Sequence, residues 1–385
     1  MKNYLVWRII GLLLALAQAV VSVMCLVSVA RLHILDSWVV VLAAVILAVL
    51  FALCVMMFFV KKKPLYILRI LCMVVSVACI AGGIFALRYT NAFNAFLDKV
   101  SSNISISSET RPDYSIDITK DPYIVYISGT DSRTDIDDPT ARSDVNILAV
   151  MNPEKKKILL VNIPRDTYVQ LHGTTGLKDK LTHAGLNNNT ELSRQTLEDF
   201  LGFNIYHTIR VSFDTVVEVV DELGGIEIFS DTAMTLNARN GGGKCVFVYG
   251  PQQIDGKCAL AFSRERKKYY RGDRHRGENQ QEVLTGIINK FLSSNDQLLR
   301  LPEILEIAGN TFETSFTRDD ITTFLKFLLA NRTGWKIESI GLDGEGDLYP
   351  TYTYGEDRPL WAMIPDEESY KEIVRKMNEY LDNDV

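Results

Sequence analysis

The chain has 385 residues, 47% of them hydrophobic, and carries 41 Lys and Arg against 47 Asp and Glu, a formal charge of −6. That length leaves room for more than one domain. The acidic balance argues against diffuse attraction to nucleic acid or to acidic lipid, and no nucleic-acid partner is expected.

Three apolar runs open the chain, at residues 5–30, 38–60 and 65–87. The first is broken by Arg8, Gln18 and serines, the second has no charge, and the third has only Arg69 near one end. Each is long enough to cross a bilayer as a helix. The first run is too long for a cleaved signal peptide, and two more follow at once. Residues 1–87 therefore read as a three-helix anchor in a lipid bilayer. Lys2 and Arg8 precede the first span, Lys61, Lys62 and Lys63 separate the second from the third, and Arg31 faces Asp36 between the first two. The positive-inside rule then places the N-terminus and the Lys61–Lys63 loop in the cytoplasm, and everything after Leu87 outside. Residues 1–87 hold seven of the Lys and Arg and one of the acids, which leaves 34 against 46 beyond them, about −12.

Residues 88–120 are rich in serine without a sustained apolar period and read as an extracellular stalk. A compact domain is expected over 121–385. "YIVYISG" (123–129), "VNILAVM" (145–151) and "ILLVNIP" (158–164) are β-branched and aromatic runs, the third stopped by Pro164. "TELSRQTLEDFLG" puts Leu192, Leu197, Phe200 and Leu201 on one helical face before Gly202. "SFDTVVEVVDELGG" starts at a cap candidate, Ser212, and ends at Gly224, with strands "NIYHTIRV" and "GIEIF" on either side. A helix is expected to open at Gln280 and Gln281, 301–330 to be helical, and "WKIESIGL" to be a last strand. Strands mixed with helices point to a layered α/β/α domain.

Four of the six cysteines lie in the spans, as small apolar residues. Cys245 and Cys258 lie outside, on two strand-like stretches joined by a turn. An oxidising exterior permits a disulfide between them.

If the first three strands are consecutive antiparallel neighbours, the end of the first, the start of the second and the end of the third share one sheet edge. Asp131, Arg133, Arg142, Asp144, Arg165 and Asp166 then gather there. A second concentration of charge follows at 263–281, "SRERKKYYRGDRHRGENQQ", with seven Arg and Lys against three acids. Gly272 and Gly277 break it too much for one solvated helix. Paired aspartates suit a hard cation such as Mg²⁺, with Mn²⁺ as the alternative. Arginine is the side chain best shaped for phosphate. Arg133, Arg142, Arg165, Arg264, Arg266, Arg274 and Arg276 are the candidates, helped by a helix start at Gln280. The pattern describes a metal-assisted pyrophosphate site, with no nucleophile motif and no P-loop. Any one of these arginines alone reads as a surface ion pair, and His183 as a structural hydrogen-bonder. Their joint order carries the inference.

That order resembles the LytR-CpsA-Psr family. The matching pieces are "GTDSR" (129–133), "ARSDVNIL" (141–148), "NIPRDTYV" (162–169), "KLTHAG" (180–185), "VVDELGGIEI" (219–228), "IDGKCALAFSRERK" (254–267) and "GDRHRGENQQ" (272–281). They cover roughly 121–295. The resemblance implies a three-layer α/β/α domain with a mixed, largely antiparallel sheet. It implies an extracellular, membrane-anchored phosphotransferase of a Gram-positive-type bacterium. Its substrate would be a glycan joined through pyrophosphate to a polyprenol, and its acceptor peptidoglycan. By position, Asp131 and Asp144 would hold Mg²⁺. Arg165, Arg264, Arg266, Arg276 and Gln280 would bind the phosphates, with Arg133 and Arg142 in support. Many members have a second arginine where this chain has Asn279. "RGENQ" and the three-span anchor resemble the capsule-associated branch. Asp166 and Asp273 are the candidates for general base. The competing functions are hydrolysis of the pyrophosphate and non-enzymatic sensing of lipid phosphate in polymer export.

Overall fold

The computed structural model describes residues 2–32, 37–59, 66–102, 116–130, 143–186, 189–238, 243–293 and 300–383. The chain divides into two compact units, Met1–Leu97 and Asp98–Val385.

The first unit holds α1 (Lys2–Leu32), α2 (Ser37–Phe59) and most of α3 (Tyr66–Ser102). Each contains a segment long and apolar enough to cross a membrane: Val6–Arg31, Ser37–Met56 and Ile67–Lys99. A polar link joins all three helices. The buried Ser76 hydroxyl donates to Gln18 Oε1 at 2.8 Å and lies 3.6 Å from Cys54 Sγ. In lipid such a hydrogen bond ties helices that apolar packing alone cannot order. Residues 88–102, expected as stalk, continue α3 as helix.

The second unit opens with β1 (Tyr123–Thr130), β2 (Ser143–Asn152) and β3 (Lys157–Asn162). Next come β4 (Tyr168–Val169), β5 (Asp179–Lys180), α4 (Leu181–Ala184) and α5 (Thr190–Leu201). Then follow β6 (His207–Ser212), α6 (Phe213–Glu222), β7 (Ile226–Ser230), β8 (Met234–Asn237), β9 (Lys244–Phe247) and β10 (Gly250–Ile254). After these lie α7 (Gly256–Arg264), α8 (Asp273–Ser293), α9 (Leu301–Thr311), β11 (Phe312–Thr314) and α10 (Arg318–Ala330). Last are β12 (Lys336–Gly341), β13 (Gly344–Thr351), β14 (Gly355–Pro365) and α11 (Glu367–Leu381).

The central sheet has six strands in the order β11-β6-β1-β2-β3-β12. β1, β2 and β3 are consecutive antiparallel neighbours, while β6 pairs parallel to β1 and β12 parallel to β3. Both faces are covered, which is why β1 to β3 read as unbroken apolar runs rather than alternating ones. One face carries Ile124, Leu148 and Leu159 against Leu197, Ile373 and Met377 of α5 and α11. The other carries Val125, Ile147 and Leu160 against Leu284, Ile288 and Phe324 of α8 and α10. The domain is therefore a three-layer α/β/α arrangement with a mixed sheet. A second core under β7 to β10 holds Ile226, Phe247, Phe262 and Val283.

Four readings of the sequence need correction. α8 begins at Asp273 and runs through Gly277, so Gln280 and Gln281 lie inside it rather than at its start. The stretch 301–330 is interrupted by β11, an edge strand on β6. β12 closes the central sheet but is followed by the β13–β14 hairpin, whose strands alternate too weakly to read as core. Cys258 sits in the first turn of α7, not on a strand, because the Asp255 carboxylate accepts from its backbone N–H and caps the helix. A disulfide still joins Cys245 to Cys258, with Cα atoms 5.5 Å apart.

Candidate active site

The pairing brings one set of strand ends together. Thr130 at the end of β1 pairs with Ser143 at the start of β2 and with Ser212 at the end of β6. Asn162 at the end of β3 pairs with Ile147 and with Gly341 at the end of β12. The C-terminal ends of four strands thus meet the start of β2 at one edge, the usual place for a ligand on an α/β sheet.

A buried polar network firms this edge. Ser143 Oγ donates to Asn146 Oδ1 at 2.7 Å, as does the Tyr126 hydroxyl at 2.6 Å, and Ser128 Oγ lies 2.9 Å from Ser143 Oγ. Asp144 stands beside this network at the start of β2. Just after β3, Arg165 Nη1 donates to Asp144 Oδ1 at 2.6 Å. Asp166 lies between two cations, with Oδ1 accepting from Lys180 Nζ at 2.8 Å and Oδ2 3.5 Å from Arg165 Nε. Lys180 opens "KLTHAG", and nothing in the sequence alone points to its partner. Its spacing from Asp166 is set by the β4–β5 pairing, in which Tyr168 faces Lys180. His183 is structural, as expected: Nδ1 lies 2.6 Å from Asp179 Oδ1, whose other oxygen accepts from the Thr353 backbone N–H. Burial works against the Asp179 charge. Hydrogen bonds from His183 and Thr353 outweigh it and hold the carboxyl below its usual pKa.

The first turn of α8 supplies the opposing wall. Asp273 and Arg276 pair at 3.0 Å. The helix comes this close because residue 277 is glycine: a Cβ there would lie 2.1 Å from Asn162 Nδ2. The three amides that follow clamp the helix in place. Asn279 Nδ2 donates to Phe262 O at 3.0 Å and Gln280 Nε2 to Ser263 O at 3.2 Å, fixing the end of α7. Gln281 Nε2 donates to the carbonyls of Leu160 and Ile340, both at 2.8 Å, fixing α8 to the sheet. Gln280, expected on the phosphates, has its amide nitrogen on backbone.

Arg264, the last residue of α7, lies with its guanidinium 5.2 Å above the ring of Phe213, which follows β6. Arg266 is exposed in the loop beyond. Arg274 is paired with Asp343. Asp131, Arg133 and Arg142 fall outside the described residues.

Burial lowers the pKa of Arg276, and the positive charges of Arg165 and Arg266 lower it further, against Asp273 and Asp144. Burial also works against Arg165, but Asp144, Asp166 and Asp273 outweigh it and raise its pKa. Both guanidinium groups stay protonated. The Nε atom of Arg276 is buried without a hydrogen-bond partner, and that of Arg165 is buried with only the 3.5 Å approach of Asp166 Oδ2. Buried donors are rarely left unpaired, so Nε groups this weakly paired at one sheet edge suit an anion. For a divalent ion the residues fit in type. Asp144, which accepts from Arg165, and Asp273, which pairs with Arg276, are hard donors at this edge, although no group of three or more metal-binding side chains occurs among the described residues.

A three-layer α/β domain with arginine–aspartate pairs at its strand ends, in a chain with three helices long and apolar enough to cross a membrane, is the class of protein that emerges. The pattern of the LytR-CpsA-Psr family matches residues 89–374, and the chain belongs to that family and is an enzyme of its transferase kind. Among its relatives, the polyisoprenyl-teichoic acid–peptidoglycan teichoic acid transferase TagU of Oceanobacillus iheyensis is 32% identical over 326 residues, covering 81% of this chain and 92% of that one. The TagU transferase of Bacillus subtilis is 30% identical over 262 residues, covering 68% and 81%. Among solved structures, TagT bound to LIIa-WTA aligns with a TM-score of 0.56 at 26% identity, over 71% of this chain and 96% of that one.

Proposed function

We propose that this protein moves a glycopolymer phosphate from a polyprenyl-pyrophosphate carrier to a hydroxyl of peptidoglycan. The observation that carries the reading is the buried arginine pair at the strand-end edge: Arg276 has an Nε without a hydrogen-bond partner, and Arg165 has an Nε that Asp166 approaches only to 3.5 Å. The relatives are named for moving teichoic acid from a polyisoprenyl carrier to peptidoglycan, which supports this class of reaction. In the reaction, the acceptor oxygen forms a bond to the phosphorus that bears the glycan. The bond from that phosphorus to the bridging oxygen breaks, and polyprenyl phosphate leaves with the electron pair. Arg165 and Arg276 face the charge that builds on the leaving phosphate, and groups set in place beforehand stabilise it without reorganising. Arg266, and Arg264 at the end of α7, extend the positive field toward the polymer phosphate. Asp166 is held by two cations, Lys180 and Arg165, and Asp273 by Arg276 alone, so Asp273 is the better acceptor for the hydroxyl proton. Mg²⁺, or Mn²⁺, would be held by Asp131 and Asp144 and would neutralise phosphate charge.

The three spans tether the enzyme to the bilayer that holds the carrier. The basic Lys61–Lys63 loop favours a cytoplasmic N-terminus and an extracellular catalytic domain. Capsule or another wall polymer is the cargo we favour from "RGENQ" and the three spans. The test is made in cells lacking redundant family members, with Asp144→Ala and Arg264→Ala. Both are expected to lower polymer bound to peptidoglycan and to raise released polymer. Unchanged attachment in both, at normal protein levels, would defeat the transferase reading.

A further inference from the structure

The strand-end site leaves the β13–β14 hairpin without a role. The hairpin continues the wall of that site. The Met363 backbone N–H donates to the Asp166 carbonyl at 2.8 Å, and that of Tyr352 to the Lys178 carbonyl at 3.0 Å. Tyr168, two residues beyond Asp166, stacks on Tyr349 with ring centroids 5.2 Å apart. Farther out, Trp361 and Leu348 sit opposite each other across the two strands. They are 47% and 60% exposed, with Tyr352 at 53%. The indole covers Gly346, where an added Cβ would come within 2.2 Å of the ring. Glycine at 346 is therefore what lets the ring lie against the strand. Trp361 is two residues from Met363, about 7 Å along an extended chain.

The hairpin's charges are Glu345, Asp347, Glu356 and Asp357 against Arg358. Such a surface repels an anionic carrier, an anionic polymer and anionic headgroups alike. It suits an uncharged sugar chain, whose C–H faces stack on aromatic rings and whose hydroxyls donate to carboxylates. Resting on the transferase reading above, we propose that the hairpin seats the acceptor. A neutral stretch of peptidoglycan glycan lies on Trp361 and Leu348, with the next sugar turned toward Arg165 and Asp273.

The experiment uses the full chain in detergent micelles and peptidoglycan sacculi stripped of anionic polymers. Trp361→Ala is expected to lower retention on sacculi about tenfold, and Trp361→Phe to keep most of it. Leu348→Ser, at an exposed position, tests the surface should Trp361→Ala fold poorly, with a loss of about threefold expected. Arg276→Ala should bind sacculi as well as wild type. In transfer assays Trp361→Ala should raise the acceptor KM and leave the carrier KM unchanged. Undiminished retention of both hairpin variants would overturn the proposal. So would a Trp361→Ala defect that appears with anionic phospholipid vesicles instead of sacculi. A wild-type chain that binds sacculi through Trp361 but transfers nothing leaves this site standing and removes the transferase reading.

Discussion

Gly277→Ala separates the fold's needs from those of the site. A helical glycine replaced by alanine gains about 1 kcal/mol in propensity. Here the new Cβ meets Asn162 Nδ2 at 2.1 Å, Cγ at 2.7 Å and Oδ1 at 3.1 Å. The Asn162 backbone is fixed by its pairing with β2 and β12, and its side chain is buried, which leaves it little room to rotate aside. The first turn of α8 must then lift by about 1 Å, and forced packing of this kind costs about 1–3 kcal/mol. The two effects nearly cancel, so stability should fall by no more than about 2 kcal/mol. Activity should fall much more. Asp273 and Arg276 ride on that turn, and a misplacement of about 1 Å can cost about 100-fold in rate. Thermal unfolding and transfer from a lipid-linked substrate measure the two effects. Removing the obstacle with Asn162→Ala in the same chain should restore part of the rate. Wild-type turnover in Gly277→Ala, with a raised melting temperature, would refute the idea that close approach of α8 sets the site.

Asp166 and Lys180 form a largely buried pair, so Lys180→Met leaves the carboxylate with only the 3.5 Å Arg165 contact and should cost about 2 kcal/mol by denaturant unfolding, whereas Asp166→Leu with Lys180→Met should recover much of that. Replacing Cys245 and Cys258 with serine opens a short loop and should cost about 3 kcal/mol; peptide mapping without reduction should find the two linked in the wild type, and free alkylated thiols would contradict it. The Asp179 carboxyl has its pKa depressed in the folded state. Its contribution to stability is therefore complete above the ordinary carboxylate value and is lost below about pH 4 as pH falls toward the folded value. Asp179→Asn should flatten the acid limb of the unfolding curve, and an unchanged limb would show that the His183–Thr353 contacts do not stabilise the charge. Arg276→Ala should abolish transfer while leaving the melting temperature within a few degrees, since relief of a cation disfavoured by burial offsets the loss of its contact with Asp273.

Much of this protein was legible along the chain. Three charge-free or nearly charge-free runs can only be satisfied in lipid or a core, and three in a row with basic flanks define an anchor. The short turn between the strand runs 145–151 and 158–164 leaves them no other partner than each other, and with 123–129 as the next antiparallel neighbour the pattern predicts the edge that gathers Asp144, Arg165 and Asp166. Ser212 as a helix cap and Gly202 as a stop followed from local hydrogen bonding alone. The start of α8 did not. Glycine at 277 reads as a helix breaker because its cause, the side chain of Asn162, is 115 positions away in sequence and touches it only after the sheet forms.

Residue types and their order thus determined the anchor, the three-layer class and the list of charged groups. Tertiary structure decided which of them work together: Lys180 holds Asp166, Gln280 holds backbone at Ser263, and Trp361 is turned outward over Gly346. Each of these depends on a contact between segments distant in sequence. Such contacts follow from packing and pairing in three dimensions, to which local propensity and periodicity are blind.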